Sequence, residues 1–128
     1  GVKKVWIHYI NKEKSEQLCE AIKNKNPKFN FEIWNYNKNN YDFLIYASPA
    51  GINNEYPVHP KIIKNSEVVV DFVLSNKKTK LLEIAKINNS KIISGYDILI
   101  NQIPFMLKFF GFKRISKLEM DKVKNQYI

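Results

Sequence analysis

Apolar runs and amphipathic stretches alternate along most of this chain. Short apolar or alternating segments predict β-strands at residues 2–9, 29–34, 43–47, 68–73 and 91–93. Apolar residues at helical spacing predict helices at residues 12–24, 79–87, 96–110 and 116–127. The runs at 43–47 and 68–73 are typical of adjacent central strands that are buried on both faces of a parallel sheet. The alternation therefore predicts a doubly wound α/β fold, a parallel sheet with flanking helices.

Length and cysteine content bound the class of protein. A chain of 128 residues that is 45% hydrophobic has enough apolar side chains for one domain with a core. Cys19 has no second cysteine with which to form an internal disulfide, and the chain contains no apolar run of about 18 residues and no leader-like segment. These features predict one compact domain, a cytoplasmic location and no membrane anchor.

The formal net charge of +9 raises the question of a nucleic-acid interface. The cations are twenty lysines and one arginine, Arg114, and the lysines are spread from Lys3 to Lys124 among sixteen asparagines. Nucleic-acid interfaces favour arginine, because its planar guanidinium makes paired hydrogen bonds with bases and phosphates. The dispersed lysines therefore indicate a solvated surface, and no nucleic-acid partner is expected.

Three segments carry the main candidate chemistry, and each is an apolar strand or helix start beside small or polar residues. They are DFLIYASPAG at residues 42–51, VVVDFV at 68–73 and GYDILINQ at 95–102. In an open parallel sheet, ligands bind in the crevice outside the carboxyl ends of the strands. Gly51 would let the backbone approach a ribose or pyrophosphate closely, although SPAG alone is equally well explained as a turn. Together, the three segments predict one nucleotide site.

In order and spacing these segments resemble the cofactor-binding half of the shikimate dehydrogenases, which read roughly DLIINATPxG, then DLVYNPxxTxLL, then GxxMLxxQ. The resemblance covers nearly the whole chain and is strongest over residues 42–111. It implies a Rossmann-like fold and one domain over residues 1–128, the C-terminal nucleotide-binding part of an oxidoreductase of aromatic amino-acid biosynthesis. In that family NADPH reduces 3-dehydroshikimate to shikimate by hydride transfer to the carbonyl carbon.

The resemblance assigns several residues to the cofactor. An Asn-Arg-Thr stretch and a later basic residue hold the 2′-phosphate of NADP in the family, and the matching positions here are Tyr9, Ile10, Asn11 and Lys14. Ile10 stands at the arginine position, so Lys14 is the remaining cation, with Lys12 near it. A lysine lacks the paired hydrogen bonds of an arginine, so NADP binding is expected to be weakened or lost, with NAD as the alternative. Ordinary surface roles for both lysines stay open. The other implied cofactor contacts are Ala47, Ser48, Pro49, Phe72 and Gly95.

The resemblance also implies two contacts with the substrate. Leu74 stands where the family commonly has a tyrosine that contacts the substrate, and Gln102 matches the glutamine that bonds a shikimate hydroxyl. A glutamine both donates and accepts hydrogen bonds, which suits a vicinal polyol. A Gln102 that is simply exposed or satisfied within the core is the open alternative. Tyr46 replaces the family's asparagine and Ile98 its methionine, so the pocket departs from the common pattern.

Two parts of a complete enzyme are absent from these 128 residues. The glycine-rich turn that cradles the pyrophosphate would precede the first strand, and the catalytic lysine and aspartate belong to a substrate domain. We therefore expect a sheet that is incomplete at the N-terminus, and a chain that contains no catalytic residue, is inactive alone and depends on a missing N-terminal substrate domain. The alternative is a divergent, non-catalytic Rossmann-like binding or scaffold module.

No other group of residues predicts independent catalysis. His8 and His59 are far apart and lack cysteine or carboxylate partners at ligand spacing, so no metal site is expected. His8 is predicted to lie within a buried strand. Cys19 falls on the apolar stripe of a helix, where an inert core thiol is expected.

Overall fold

A computed structural model of the chain describes residues 2–8, 11–34, 40–48, 50, 58–75, 77–112 and 115–127. Its Cα packing divides the chain into two compact units, residues 1–38 and 39–128. Each unit has its own parallel sheet, so the predicted α/β class is confirmed. The assignment of residues 1–128 to one nucleotide-binding domain stays a prediction.

The first unit is a strand, a helix and a strand. Its elements are β1 (Val5–Ile7), α1 (Lys12–Lys25) and β2 (Phe31–Ile33). The two strands pair in parallel, with Val5 opposite Phe31. Helix α1 begins at Lys12, as predicted, and Asn11 caps it, because the Asn11 side chain accepts a hydrogen bond from the Lys14 N–H at 3.1 Å. This satisfies one of the backbone donors that a helix start leaves free.

Two predictions for the first unit are corrected. The strand that was expected over residues 2–9 is only three residues long, and His8 lies after it with an exposed side chain, packed edge-on against Trp34 at 5.3 Å between ring centroids. His8 follows Ile7, the last residue of β1 that pairs with β2, so the sheet does not hold its side chain inside the unit. Cys19 is half-buried rather than part of a core, because α1 buries none of its residues fully.

The second unit holds the larger sheet. Its elements are β3 (Tyr41–Tyr46), α2 (Pro60–Lys64), β4 (Ser66–Asp71), α3 (Lys80–Ile87), β5 (Lys91–Ile93), α4 (Gly95–Phe109) and α5 (Lys117–Tyr127). The strand order is β3-β4-β5, and both pairings are parallel. The predicted adjacency of the strands over 43–47 and 68–73 is confirmed.

The core of this unit lies on one face of the sheet. Helices α2 and α3 both pack there, and their apolar side chains meet the inward residues of β3 and β4. The buried members of this cluster are Tyr46, Ile63, Val69, Leu81, Leu82 and Ala85. Because α2 and α3 connect successive parallel strands, their position on the same face follows from right-handed crossovers.

The expectation that β3 is a central strand buried on both faces is wrong for the described residues. Phe43 is 61% exposed and Ile45 is 62% exposed, and β3 is an edge strand of its sheet. The apolar run predicted burial correctly for Tyr46, and Leu44 on the same face is half-buried against the core cluster. The opposite face of β3 has no comparable cover within the part of the chain described.

Helix α4 starts with a capping box and ends in an exposed apolar surface. The Ser94 hydroxyl accepts from the Asp97 N–H at 3.1 Å, and the Asp97 carboxylate accepts from the Ser94 N–H at 3.1 Å. The helix continues through Pro104, and beyond it Phe109 is 85% exposed.

No helix in the described ranges is long and apolar enough to cross a membrane.

Helix α5 is anchored at its start by an analogous pair. The Ser116 hydroxyl and N–H both donate to the Glu119 carboxylate, at 2.6 and 2.8 Å, and these bonds hold the pKa of Glu119 below its ordinary value. Glu119 is exposed, so the pair defines a local helix start and contributes little to the fold as a whole.

Candidate functional site

The carboxyl ends of β3 and β4 lie side by side. The Phe72 N–H donates to the Tyr46 carbonyl oxygen at 3.0 Å, one residue beyond the regular pairing. This bond holds Ala47, the next residue of the chain, beside the segment that carries Phe72. The Ala47 side chain is exposed, and Phe72 is 50% exposed. Two predicted cofactor contacts are thus adjacent at the edge where parallel sheets bind ligands.

Gly95 lies against the same strand end and leaves no room for a side chain. A Cβ atom at this position would be 2.7 Å from the Val73 carbonyl oxygen and 2.8 Å from that of Phe72. Both distances are shorter than any normal contact, so the lack of a side chain lets the start of α4 approach the backbone after β4. The structure thus brings Gly95 and Phe72 together. It also gives Gly95 a packing role that needs no cofactor.

A buried polar pair fixes the segment between β4 and α3. Asp71 and Thr79 are both buried, and the Thr79 hydroxyl donates to Asp71 Oδ2 at 2.5 Å. Asp71 Oδ1 accepts from the Val73 N–H at 3.0 Å, and Thr79 Oγ1 accepts from the Leu82 N–H at the start of α3. One carboxyl group therefore connects the strand end, the turn at Val73 and the helix start.

Neither Asp71 nor Thr79 was predicted from the sequence to have a role. A signal was present, because both stand where the DLVYNPxxTxLL pattern has its aspartate and threonine. An apolar strand that ends in a carboxyl group needs a donor if that group is buried.

Nearby on the surface, hydrogen bonding and charge repulsion by Lys86 lower the pKa of Lys78.

The predicted substrate contacts are accessible. Leu74 is exposed and lies just past the Phe72 and Val73 turn, and Gln102 is exposed on α4. Gln102 is seven residues after Gly95, about two turns or roughly 10 Å along the helix. The same helix therefore carries both residues, while their approach to one ligand stays a prediction.

Position 46 is part of the core. The ring of Tyr46 packs with Ile63 and Val69, and its hydroxyl is buried with no hydrogen-bond partner in the described part of the chain. The replacement of an asparagine by Tyr46 therefore changes the packing beneath the strand end and does not add a side chain to the exposed surface. A buried hydroxyl without a partner costs about 1 to 3 kcal/mol.

The remaining candidates are distributed over both units. Ser48 is half-buried, and its hydroxyl accepts from the Ala50 N–H at 3.4 Å, as in a turn. In the first unit, Asn11 caps α1 and Lys14 is exposed in its first turn, whereas Lys12 pairs with Glu16 at 3.7 Å. Tyr9, Ile10 and Pro49 lie outside the described residues. No cluster of three metal-ligating side chains occurs among the residues that are described.

Comparisons with known proteins agree on one family. The shikimate dehydrogenase of Sulfurisphaera tokodaii is 34% identical over 122 residues, which are 93% of this chain and 42% of that protein. A chorismate mutase/shikimate 5-dehydrogenase fusion protein from Clostridium acetobutylicum has a similar structure, with a TM-score of 0.74 and 20% identity over 94% of this chain and 43% of its own. A shikimate dehydrogenase in complex with NADP+ gives a TM-score of 0.66 and 23% identity, over 98% and 47%.

The similarities cover most of this chain but only part of each related protein. The chain spans less than half the length of each of these proteins. No family model matches the chain. At 20% to 23% identity the structural neighbours establish a Rossmann-like fold. The sequence similarity of 34% over most of this chain shows that it is related to the shikimate dehydrogenases.

The hydrogen bond between Asp71 and Thr79 predicts that loss of the Thr79 hydroxyl group destabilises the chain more than loss of its methyl group. We expect Thr79→Val to lower the free energy of unfolding by about 2 to 4 kcal/mol, because it removes both the donor to a buried carboxyl oxygen and the cap of α3. Thr79→Ser keeps the hydroxyl and should cost about 1 kcal/mol for one methyl group. Urea unfolding of the two variants measures the difference, and equal stabilities would contradict the role of the hydroxyl.

Gly95→Ala should destabilise the chain although alanine favours a helix. The added Cβ would push α4 away from two rigid backbone carbonyl groups, those of Phe72 and Val73, at a cost near the upper end of the range of about 1 to 3 kcal/mol for overpacking. The helix-propensity gain is at most about 1 kcal/mol, because Gly95 is the first residue of the helix, and it does not offset this cost. Gln102→Ala, on the exposed side of the same helix, is the matched control and should stay within about 0.5 kcal/mol. Thermal or urea unfolding that finds Gly95→Ala as stable as the control would show that α4 does not need this close approach.

Proposed function

On the premise that this chain is related to the shikimate dehydrogenases, we propose that it is the nicotinamide-cofactor-binding portion of an oxidoreductase that reduces 3-dehydroshikimate to shikimate with NADPH. One observation carries the proposal. The carboxyl ends of β3 and β4 and the start of α4 meet at Phe72. The Phe72 N–H donates to the Tyr46 carbonyl oxygen, and the Phe72 carbonyl group lies against Gly95. Doubly wound sheets bind nucleotides at such an edge. The related proteins include NADP(+) enzymes, and one neighbour is a complex with NADP+.

The exposed apolar surface at this edge suits the flat ring of a nicotinamide. Phe72 and Leu74 are half-exposed or more at the end of a buried strand, and ligand sites are mostly apolar with a few polar groups. Ala47 is small and exposed, so it does not obstruct a nucleotide at the strand end. The bound cofactor would supply the hydride. The chain's own part is to present this surface in a fixed position, which the Asp71 and Thr79 pair secures.

We propose Lys14 as the contact with the 2′-phosphate of NADP. Lys14 is exposed in the first turn of α1, where the partial positive charge of the helix start also attracts anions. A single lysine neutralises a 2′-phosphate less specifically than an arginine does. We therefore propose NADP as the cofactor, held with modest selectivity over NAD.

The substrate would be shared with polypeptide outside these 128 residues. Gln102 is exposed and able to donate to and accept from a hydroxyl of shikimate. The proton transfer that accompanies hydride transfer requires an acid/base pair, which we assign to a substrate domain of the kind that makes up the rest of the relatives. With Cys19 as its single, half-buried thiol, the chain suits a reducing cytoplasmic compartment.

The alternative function is a non-catalytic Rossmann-like module. The observation that favours it is Tyr46, whose buried hydroxyl has no partner within the described ranges. A core that tolerates this cost directly beneath the strand end is consistent with relaxed selection on the site. The two functions differ in one measurable property, which is catalytic turnover of shikimate when a glycine-rich turn and a substrate domain are joined to the chain.

A chimera separates the two functions. We expect this chain alone to give no NADP+-dependent oxidation of shikimate, because it lacks the acid/base pair and the glycine-rich turn. When the chain replaces its matched portion in the Sulfurisphaera tokodaii relative, we expect turnover, measured by the absorbance of the reduced nicotinamide. The unmodified relative is the positive control. A chimera that unfolds cooperatively but shows no turnover would support the non-catalytic module.

Gln102→Ala in this chimera tests the substrate contact. We expect kcat/KM for shikimate to fall by a factor corresponding to about 1 to 3 kcal/mol, because a substrate hydroxyl loses its partner. The KM for NADP+ should not change. Asn101→Ala, at the neighbouring exposed position of α4, is the control. If Gln102→Ala weakens NADP+ binding and leaves the shikimate parameters unchanged, Gln102 does not contact the substrate.

A further inference from the structure

Two aromatic side chains meet at the carboxyl edge of the sheet in the first unit. The Trp34 N–H donates to the Ile7 carbonyl oxygen at 2.9 Å, one residue beyond the regular pairing of β1 and β2. This bond places Trp34 beside His8, and their rings pack edge to face, with centroids 5.3 Å apart and planes at 70°. Trp34 is buried, whereas His8 is exposed. A buried indole therefore supports an imidazole that a ligand can reach.

Helix α1 does not cover this pair. Side chains alternate along a strand, so Trp34 lies on the opposite side of the sheet from Phe31. The Lys23 ammonium group of α1 lies over the Phe31 ring, at 5.7 Å from its centroid. The helix therefore packs on the Phe31 side, and His8, which shares the side of Trp34, stays clear of it.

The same edge carries the proposed contact with the 2′-phosphate. Three peptide units join His8 to Asn11, the cap of α1, so their Cα atoms are at most about 11 Å apart. Lys14 is exposed in the first turn of this helix, whose start attracts anions. A lysine provides charge but no flat surface for a base. The imidazole of His8 provides such a surface close to the helix start.

We propose that His8 stacks against the adenine ring of NADP, and that Trp34 is the residue that positions it. This inference rests on the proposed cofactor and adds a contact with the base to the contact at Lys14. Adenine stacks on an aromatic side chain through the flat faces of both rings, without hydrogen bonds that read the base. His8 would thus contribute affinity for any adenine nucleotide, while Lys14 contributes the preference for a 2′-phosphate.

The experiment titrates the 128-residue chain with adenosine 2′,5′-bisphosphate, the adenosine half of NADP, and follows the histidine ring protons by NMR. We expect the carbon-bound protons of His8 to move upfield, because a stacked adenine imposes its ring current on them. Ribose 5-phosphate has a sugar and a phosphate but no base, so it should leave these signals in place. His59, the second histidine of the chain, serves as the internal reference.

Substitutions test the contribution to affinity. We expect His8→Ala to weaken binding of the bisphosphate by about tenfold or more, and His8→Phe, which keeps a flat ring, to restore most of it. His59→Asn is the matched control, because it changes the other histidine and keeps a capping side chain at the start of α2.

A double substitution tests the positioning role of Trp34. We expect Trp34→Leu to weaken binding in the unmodified chain and to have no further effect once His8→Ala is present, because Trp34 acts through His8. Independent, additive effects would show that Trp34 does not act through His8. The ring-proton measurement on the unmodified chain needs no variant, so it decides the stacking contact even if Trp34→Leu unfolds.

Three results would overturn the stacking contact. They are a bisphosphate that does not bind the unmodified chain, one that binds without shifting the His8 signals, and equal affinity of the unmodified chain and His8→Ala. Turnover by the chimera decides the proposed function separately, because it reports hydride transfer. A chimera that turns over shikimate while the His8 signals stay in place would keep the oxidoreductase and reject this contact. The opposite pair of results would leave an adenine-nucleotide site in a non-catalytic module.

Discussion

The hydrogen bonds of the Asp71 carboxyl group are the constraint on which the second unit depends. Asp71 ends the central strand, and its two oxygens accept from the Val73 N–H and the Thr79 hydroxyl. Removing a carboxyl group from water is costly unless such partners are in place. The turn after β4 is therefore held in one conformation, and this conformation presents the carbonyl groups of Phe72 and Val73 to Gly95. The start of α4 is positioned through a chain of contacts that begins in the core.

The elements of the fold were predictable because their signals are local. The strand at Lys91–Ile93 and the start of α1 at Lys12 have the bounds that the pattern predicts, since an apolar run and a capping side chain are encoded within a few residues. Burial was predicted less well. The apolar run at β3 contains Phe43 and Ile45, and an apolar side chain is equally apolar whether or not a neighbour covers it. Coverage depends on what packs there, which periodicity does not encode.

The candidate site shows the same division between local and tertiary information. The positions of Ala47, Phe72 and Gly95 at one strand edge follow from strand order, so the motifs predicted their proximity. The reason for Gly95 was not predictable from its motif. The structure shows two carbonyl oxygens in the space that a side chain would occupy, so one glycine serves packing and leaves the surface around Phe72 accessible. Tyr46, interpreted from sequence as part of the pocket, is in the core because alternate residues of β3 face opposite sides.

The same alternation explains why the second unit has a well-packed core and exposed apolar side chains at once. Leu44 and Tyr46 face α2 and α3, and these contacts need only the helices that connect β3, β4 and β5. Phe43 and Ile45 face the side that such connections never cover, because right-handed crossovers in one direction use one face of a sheet. A parallel sheet is stable in water when both faces are covered. The side chains exposed at β3 therefore lie on the face of the sheet that α2 and α3 do not cover.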